Sequence, residues 1–207
     1  DRLAELLRQF LQFSKGHRGP PQDIQLGELL EEVCQSVAAH PDWRTAIKIE
    51  VAPSVVRWRV RAHPGALSQV FYNLLINAAQ VVGPEGKRAA RMEIRSAERR
   101  SRGGEASREL HMLAVCDDGP GIDHEMRQKV FEPFFSTRKE GFGLGLAVVH
   151  RAVSSMGGMI YVQDESPLGG AAFVLGIPRT TVGHGREKMS AAEQTTGMTG
   201  LNQGARE

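Results

Sequence analysis

The stretch QVFYNLLINAAQVV, residues 69–82, combines an apolar helical pattern with amide side chains at a regular spacing. With about 3.6 residues per helical turn, the amides share one stripe, formed by Gln69, Asn73, Asn77 and Gln80. The face beside this amide stripe is apolar and consists of Val70, Phe71, Leu74, Leu75 and Ala78. Asparagine is a weak helix former because its side chain competes for backbone hydrogen bonds. On its own, the amide stripe fits either a solvated helix face or a polar wall of a binding site.

The composition indicates one domain with a proper core and some peripheral segments. Of the 207 residues, 41% are hydrophobic and 24% charged, as in ordinary globular proteins, and the net charge of +2 does not suggest nucleic acid or an anionic membrane as a partner. No signal-peptide pattern and no apolar run of roughly 18 residues is present. Cys34 and Cys116 lack a metal-ligand spacing and are interpreted as reduced core residues. We therefore expect a cytoplasmic protein with a single core that contacts no membrane.

The order of patterns along the chain predicts an α/β fold, with one mixed sheet under helices. Helices are predicted at 1–15, 27–39, 64–82 and 145–156, and strands at 47–51, 57–62, 92–97, 110–116, 159–165 and 170–177. We expect the strands at 92–97 and 110–116 to pair, and the last two strands to form a closing hairpin. Residues 98–109 are charged and contain glycine, which favours an exposed loop over an interaction patch. Residues 179–207 are predicted to be a polar, flexible tail.

Two glycine clusters suggest a ligand site. In DDGPGI, residues 117–122, a predicted buried strand delivers Asp117 to its end. Gly119 and Gly121 allow positive φ angles and close approach of the backbone to a flat ligand. A carboxylate beside such a surface is suited to accept the exocyclic amine of adenine. Taken alone, the segment also fits an ordinary tight turn.

The second cluster is GFGLGL, residues 141–146, at the start of a predicted helix. The free N–H groups and the positive dipole end of a helix start attract anions. No Gly-Lys-Ser/Thr follows, which excludes a Walker loop, and no buried strand precedes, which excludes a dinucleotide fingerprint.

In combination, these segments resemble the ATP-binding catalytic domain of bacterial sensor histidine kinases, in the superfamily shared with gyrase, the mismatch-repair ATPases and the heat-shock chaperone. The resemblance covers residues 24–178, and its ordered motifs are VFYNLLINAA, DDGPGI, FEPFFST and GFGLGL. It implies an α/β two-layer sandwich of a mixed β-sheet under helices, the Bergerat-type ATP-binding fold. The short link between FEPFF and GFGLGL is most similar to the nitrogen-regulation class. Residues 1–16 would be the C-terminal end of the dimerisation and phosphoacceptor hairpin.

The resemblance implies roles for individual residues. Asn77 would supply an oxygen to Mg²⁺, and Asn73 would bond the cluster of phosphates and metal, so both are candidate catalytic residues. Asp117 would accept the adenine amine, and Phe131, Phe134 and Phe135 would form an apolar patch anchoring a mobile lid. The implied site for ATP consists of Asn73, Asn77, Gln80, Asp117, Gly119, Gly121, Ile122, Phe131, Thr137, Arg138, Lys139, Gly141, Gly143, Leu144, Gly145 and Leu146.

The chain departs from the family at Gln80, where many relatives have a lysine. This change removes a positive charge near the phosphates. Arg138 and Lys139 are the candidates to replace it, although solvated roles for both are equally compatible with the sequence.

The resemblance also favours a kinase over a hydrolase. Relatives that hydrolyse ATP have a glutamate at the position of Asn73, and an amide cannot accept a proton from water. None of the seven histidines has the context of the family's phosphoacceptor, so we expect the acceptor hairpin to lie outside this chain. The implied partners are that hairpin, a response regulator receiver domain and a second copy in the full-length homodimer. An ATP hydrolase and a non-catalytic nucleotide-sensing module remain alternatives.

Overall fold

The computed structural model describes residues 19–39, 47–82, 90–97, 110–138 and 141–180. The helix predicted at 1–15, the loop at 98–109, Lys139 and the tail beyond residue 180 lie outside the described residues.

A mixed five-stranded sheet forms the centre of the fold. Its strands are β2 (Ile47–Val51), β4 (Ala90–Ser96), β5 (Leu110–Asp117), β6 (Met159–Val162) and β7 (Ala172–Pro178), in the spatial order β2-β4-β5-β7-β6. The pair β2 and β4 is parallel, and the other pairs are antiparallel. The predicted pairing of β4 with β5 and the closing hairpin of β6 and β7 are therefore confirmed.

Helices pack against one face of this sheet. They are α1 (Leu26–Ala38), α2 (Pro53–Val56), α3 (Pro64–Val82) and α4 (Gly145–Ser155). The apolar face of α3 is buried as predicted, and it packs with the alternate strand residues Leu113, Val115, Phe173 and Leu175 in the main core. The α/β expectation is thus confirmed, and the core holds α3 in place beside the sheet. Within the described residues, no helix is both long and apolar enough to cross a bilayer.

The alternation along β5 and β7 places smaller side chains on the opposite sheet face. Met112, Ala114, Cys116, Ala172 and Val174 form a second buried cluster there. Cys116 is a free thiol in this cluster, while Cys34 is a free, half-buried thiol beside the main core. Burial raises the pKa of both thiols to about 11. Both cysteines therefore remain protonated at neutral pH.

Two elements were not predicted. Strand β1 (Gln22–Gln25) pairs antiparallel with β3 (Arg59–Ala62) in a separate two-stranded sheet. Its sequence QDIQ has one apolar residue, so alternation could not identify it. The single turn α2 has the sequence PSVV, in which β-branched residues indicate a strand, yet Pro53 starts a helical turn. The predicted strand at 57–62 consequently begins only at Arg59.

Candidate functional site

The amide stripe of α3 lies against the start of α4. Asn73 Nδ2 donates to the carbonyl oxygen of Gly145 at 3.5 Å, across 72 positions of sequence. A Cβ placed on Gly145 would lie 3.7 Å and 3.8 Å from the two amide atoms of Asn77. Asn73 and Asn77 are half-buried, whereas Gln80 is exposed. The structure therefore brings together the predicted residues Asn73, Asn77 and Gly145.

Glycine is required where the GFGLGL segment crosses FEPFF. Gly143 has φ +67°, and a Cβ there would lie 2.5 Å from backbone atoms of Phe134 and Phe135. The backbone N–H of Phe134 donates to the Gly143 carbonyl oxygen at 2.9 Å. This contact fixes residues 134–135 next to the start of α4.

Three phenylalanines were expected to form one apolar patch, but the structure divides them. Phe131 is half-buried and packs against the rings of His150 and Phe173, with centroid distances of 5.6 Å and 6.3 Å. Phe134 is 67% exposed and has φ +67°, while Phe135 is half-buried. Phe131 thus packs against the core, whereas Phe134 faces solvent; a mobile lid anchored by these phenylalanines stays a prediction.

Arg138 reaches back to the amide stripe. Its Nη2 donates to Asn77 Oδ1 at 3.1 Å, and its Nη1 donates to Gln80 Oε1. Burial lowers the pKa of Arg138 below its ordinary value. The guanidinium still remains charged, because its ordinary pKa is far above neutral. Of the two cations predicted near the phosphates, Arg138 therefore contacts the amide stripe, and Lys139 lies outside the described residues.

Asp117 is the one buried charged residue among those that the structure describes, at 6% exposure. Its Oδ1 accepts the backbone N–H groups of Gly119 at 2.9 Å and Ala171 at 3.1 Å. Burial raises the pKa of Asp117, and these two hydrogen bonds oppose the shift because they favour the ionised form. A carboxylate has a second acceptor oxygen, Oδ2, which suits an amino group such as that of adenine.

Gly170 supports this turn and was missed by the sequence analysis. Its N–H donates to the Asp117 carbonyl oxygen at 3.1 Å. A Cβ on Gly170 would lie 2.4 Å from that oxygen, from Asp117 Oδ1 and from Gly119 N. Gly121 has φ +81° and lies against the Gly170 carbonyl. The tandem glycine in PLGGAA was the available signal, but its second glycine also fits the start of the strand predicted at 170–177.

Arg127, which the sequence did not indicate, connects the turn after Asp117 with the loop that contains Asp164. Its Nε donates to the carbonyl oxygen of Ile122 at 3.2 Å, and its Nη2 donates to that of Asp164 at 3.3 Å. Its Nη1 also pairs with the Asp164 carboxylate. The half-buried Ile122 packs against the main core. One side chain therefore links residues 117–122 to the loop that carries Gly170.

Other predicted residues have mainly packing or surface positions. Leu144 is 1% exposed, Leu146 packs at the edge of the main core, and Thr137 is exposed. Gly141 N–H donates to the Arg138 carbonyl at 3.3 Å, and a Cβ there would lie 2.6 Å from Ser136 Oγ. Gly141 thus shapes the turn before α4.

The amide stripe has the donor chemistry for a hard metal ion. The oxygens of Asn77 and Gln80 already converge on a cation, the Arg138 guanidinium. Mg²⁺ prefers oxygen ligands and shares them with phosphate groups. The residues present therefore fit a metal that arrives with a nucleotide.

Comparison with protein-family models matches residues 62–181 to the family described as histidine kinase-, DNA gyrase B- and HSP90-like ATPase, which is more than half of the chain. The chain belongs to this family. As a member of this family, it has the fold of an ATP-binding ATPase domain. The family match and the relatives below also show that it is the ATP-binding catalytic domain of a two-component sensor histidine kinase.

Similar proteins include sensor kinases. The signal transduction histidine-protein kinase AtoS of Escherichia coli (strain K12) is 31% identical over 183 residues, 86% of this chain and 27% of AtoS. The sensory histidine kinase/phosphatase NtrB of Rhodobacter capsulatus is 32% identical over 180 residues, 86% of this chain and 49% of NtrB. The histidine-kinase domain thus spans between about a quarter and a half of these relatives.

A solved structure has the same fold. The mycobacterial sensor histidine kinase MprB superposes with a TM-score of 0.57 at 26% identity, covering 79% of this chain and 98% of that one. The expected Bergerat-type layering, a mixed sheet under helices, is therefore confirmed.

Proposed function

We propose that this histidine-kinase domain binds ATP with Mg²⁺ and transfers the γ-phosphate to a histidine on a separate helical hairpin. The observation that carries the proposal is the contact of Asn73 with the start of α4 at Gly145, with the amide of Asn77 beside it. Two amides on one wall and the N–H groups of a helix start on the other suit a polyphosphate.

Adenine recognition is assigned to Asp117. With Oδ1 fixed by two backbone N–H groups, the carboxylate is oriented before ligand binding. Oδ2 would accept the exocyclic amine of adenine, whereas guanine has a carbonyl oxygen at that position. The glycines of the turn, with Gly170 behind them, allow the base to lie close to the backbone.

Asn77 would hold Mg²⁺ through Oδ1, and the metal would neutralise charge on the phosphates. Asn73 would orient the phosphates, with its amide nitrogen already committed to Gly145. An amide cannot accept a proton from water, so Asn73 does not provide a general base for hydrolysis. Phosphoryl transfer depends mainly on positioning and charge neutralisation, which these residues supply.

The partners of the domain and its class of sensor kinase follow from the same proposal. The receiving histidine would lie on the phosphoacceptor hairpin of the parent kinase, which would act as a homodimer and pass the phosphate to a response regulator receiver domain. Residues 1–16 would be the end of that hairpin, and a domain that uses ATP would lie in the cytoplasm. The short link between FEPFF and GFGLGL supports the nitrogen-regulation class.

Incubation with labelled ATP tests this function. With a separately prepared phosphoacceptor hairpin, we expect transfer of label to a histidine, giving an acid-labile and base-stable bond that requires Mg²⁺. Without the hairpin we expect little labelling of the domain itself. Label that never reaches the hairpin, although the domain binds ATP, would contradict the proposal.

A further inference from the structure

The guanidinium of Arg138 lies on the one oxygen to which the proposed function assigns the metal. Arg138 Nη2 donates to Asn77 Oδ1 at 3.1 Å, and Nη1 donates to Gln80 Oε1. Asn77 is half-buried and Arg138 is half-buried above it. A cationic side chain of the protein thus contacts the proposed metal ligand.

A local turn holds Arg138 in reach of the amide stripe. Ser136 Oγ accepts the Arg138 backbone N–H and donates to the Arg138 carbonyl oxygen, both at 3.1 Å. That carbonyl also accepts the N–H of Gly141 at 3.3 Å. The backbone of Arg138 is therefore bonded on both sides, and its long side chain extends towards α3.

Gln80 provides the second acceptor for the guanidinium. Because Gln80 is neutral, it accepts a hydrogen bond without repelling the arginine, whereas a cationic residue at this position would repel it. The contact joins two segments that lie 58 positions apart in the sequence. Gln80 and Arg138 are thus a matched pair on the pocket wall.

A guanidinium and a divalent metal ion compete for Asn77 Oδ1. That oxygen has two lone pairs, but both groups are cations, and two cations repel more strongly in a partly desolvated site than in water. We therefore expect a metal that binds at Asn77 to displace the guanidinium of Arg138.

We propose that Arg138, held by Gln80, is a positioning residue that covers the metal-binding oxygen of Asn77 in the nucleotide-free domain and is displaced by a metal–nucleotide complex. This inference rests on the proposed function, because it takes Asn77 as the protein ligand of the metal. Gln80 then affects metal binding only through Arg138. The Mg²⁺ concentration that nucleotide binding requires is a measure of how firmly Arg138 is held.

The test is a double-mutant cycle on nucleotide binding, without any measurement of activity. The wild type, Gln80→Met, Arg138→Met and the double variant are titrated by calorimetry with a non-hydrolysable ATP analogue at a series of Mg²⁺ concentrations. Methionine has the length of glutamine but has no comparable acceptor. Gln35→Met is the matched control, since Gln35 is an exposed glutamine on α1 whose side chain bonds Glu31. Gln80→Ala serves as a second variant.

We expect Gln80→Met and Gln80→Ala to lower the half-saturating Mg²⁺ concentration about three- to tenfold, the range for one partly exposed hydrogen bond to a charged group. In the Arg138→Met background, Gln80→Met should have no effect, and Gln35→Met should match the wild type.

An unchanged or higher Mg²⁺ requirement in Gln80→Met, or an equal effect in both backgrounds, would overturn the role of Arg138. In those cases the wild type still binds nucleotide, so the proposed function stands. A wild type that binds no nucleotide at any Mg²⁺ concentration would overturn both.

Discussion

At the scale of single residues, Asp117 is proposed to select adenine. Asp117→Asn removes the negative charge and replaces one carboxylate oxygen by an NH₂ group. This NH₂ group faces either the adenine amine or the two backbone N–H groups, and in both cases two donors oppose each other. We expect ATP affinity to fall by about 1–3 kcal/mol, the usual cost of a mispaired buried polar group. Calorimetry measures the ATP affinity of this variant. Asp118→Asn is the control, because it makes the same change in the neighbouring residue, whose Oδ1 accepts the N–H of Arg91 at the strand end. Equal ATP affinity in Asp117→Asn and wild type would remove Asp117 from the site.

Substitution of Asn77 separates the effect on metal binding from the effect on the stability of the fold. Its side chain lies on the pocket side of α3, whereas the neighbouring Leu74, Leu75 and Ala78 are in the core. Asn77→Ala should abolish Mg²⁺-dependent phosphate transfer and leave the folded structure intact. Circular dichroism and thermal unfolding check the second part. If the variant unfolds with no separate effect on Mg²⁺ dependence, the amide stripe is structural.

At the scale of elements, the loop between β6 and β7 supports the turn that follows β5. Gly170→Ala places a methyl group against three backbone and carboxylate atoms, so the turn must shift. We expect a loss of about 1–3 kcal/mol in the free energy of unfolding, together with weaker ATP binding.

Gly169→Ala is the matched control for this prediction. Gly169 has φ +85°, but no atom lies within 4 Å of a Cβ placed there. Its substitution should cost about 1 kcal/mol in backbone strain and leave ATP affinity unchanged. Chemical denaturation and calorimetry of both variants measure the difference. Equal ATP affinities in the two variants would contradict a supporting role for Gly170.

Elements with strong apolar periodicity could be predicted from the sequence, and weak ones could not. Helix α3 has a buried face at helical spacing, and strands β5 and β7 are apolar runs buried on both sheet faces; each was predicted within a few residues. Strand β1 exists because β3 offers it a partner, which is a long-range property. In the candidate site, Asn77 and Asp117 could be predicted from motifs. The role of Arg127 could not, because it depends on the contact with Asp164, which lies 37 positions away in the sequence.

At the scale of the whole molecule, the fold brings segments that are distant in the sequence into contact. Asn73 meets Gly145 across 72 positions, and Asp117 meets Ala171 across 54. Neither contact follows from periodicity, so only the ordered motifs and their resemblance to a family indicated that these residues share a site. The contact of Arg138 with Gln80 was not predicted, although Arg138 was named as a substitute for a missing charge.

In the proposed function, the site holds the γ-phosphate of ATP for a histidine and not for water, and the rate of ATP hydrolysis by the domain alone distinguishes these two fates. We predict slow hydrolysis by the wild type, and faster hydrolysis by Asn73→Glu, because a carboxylate could accept a proton from a water near the γ-phosphate. Addition of the phosphoacceptor hairpin should divert phosphate to histidine. Rapid hydrolysis by the wild type, unchanged by the hairpin, would contradict the kinase assignment and support an ATPase.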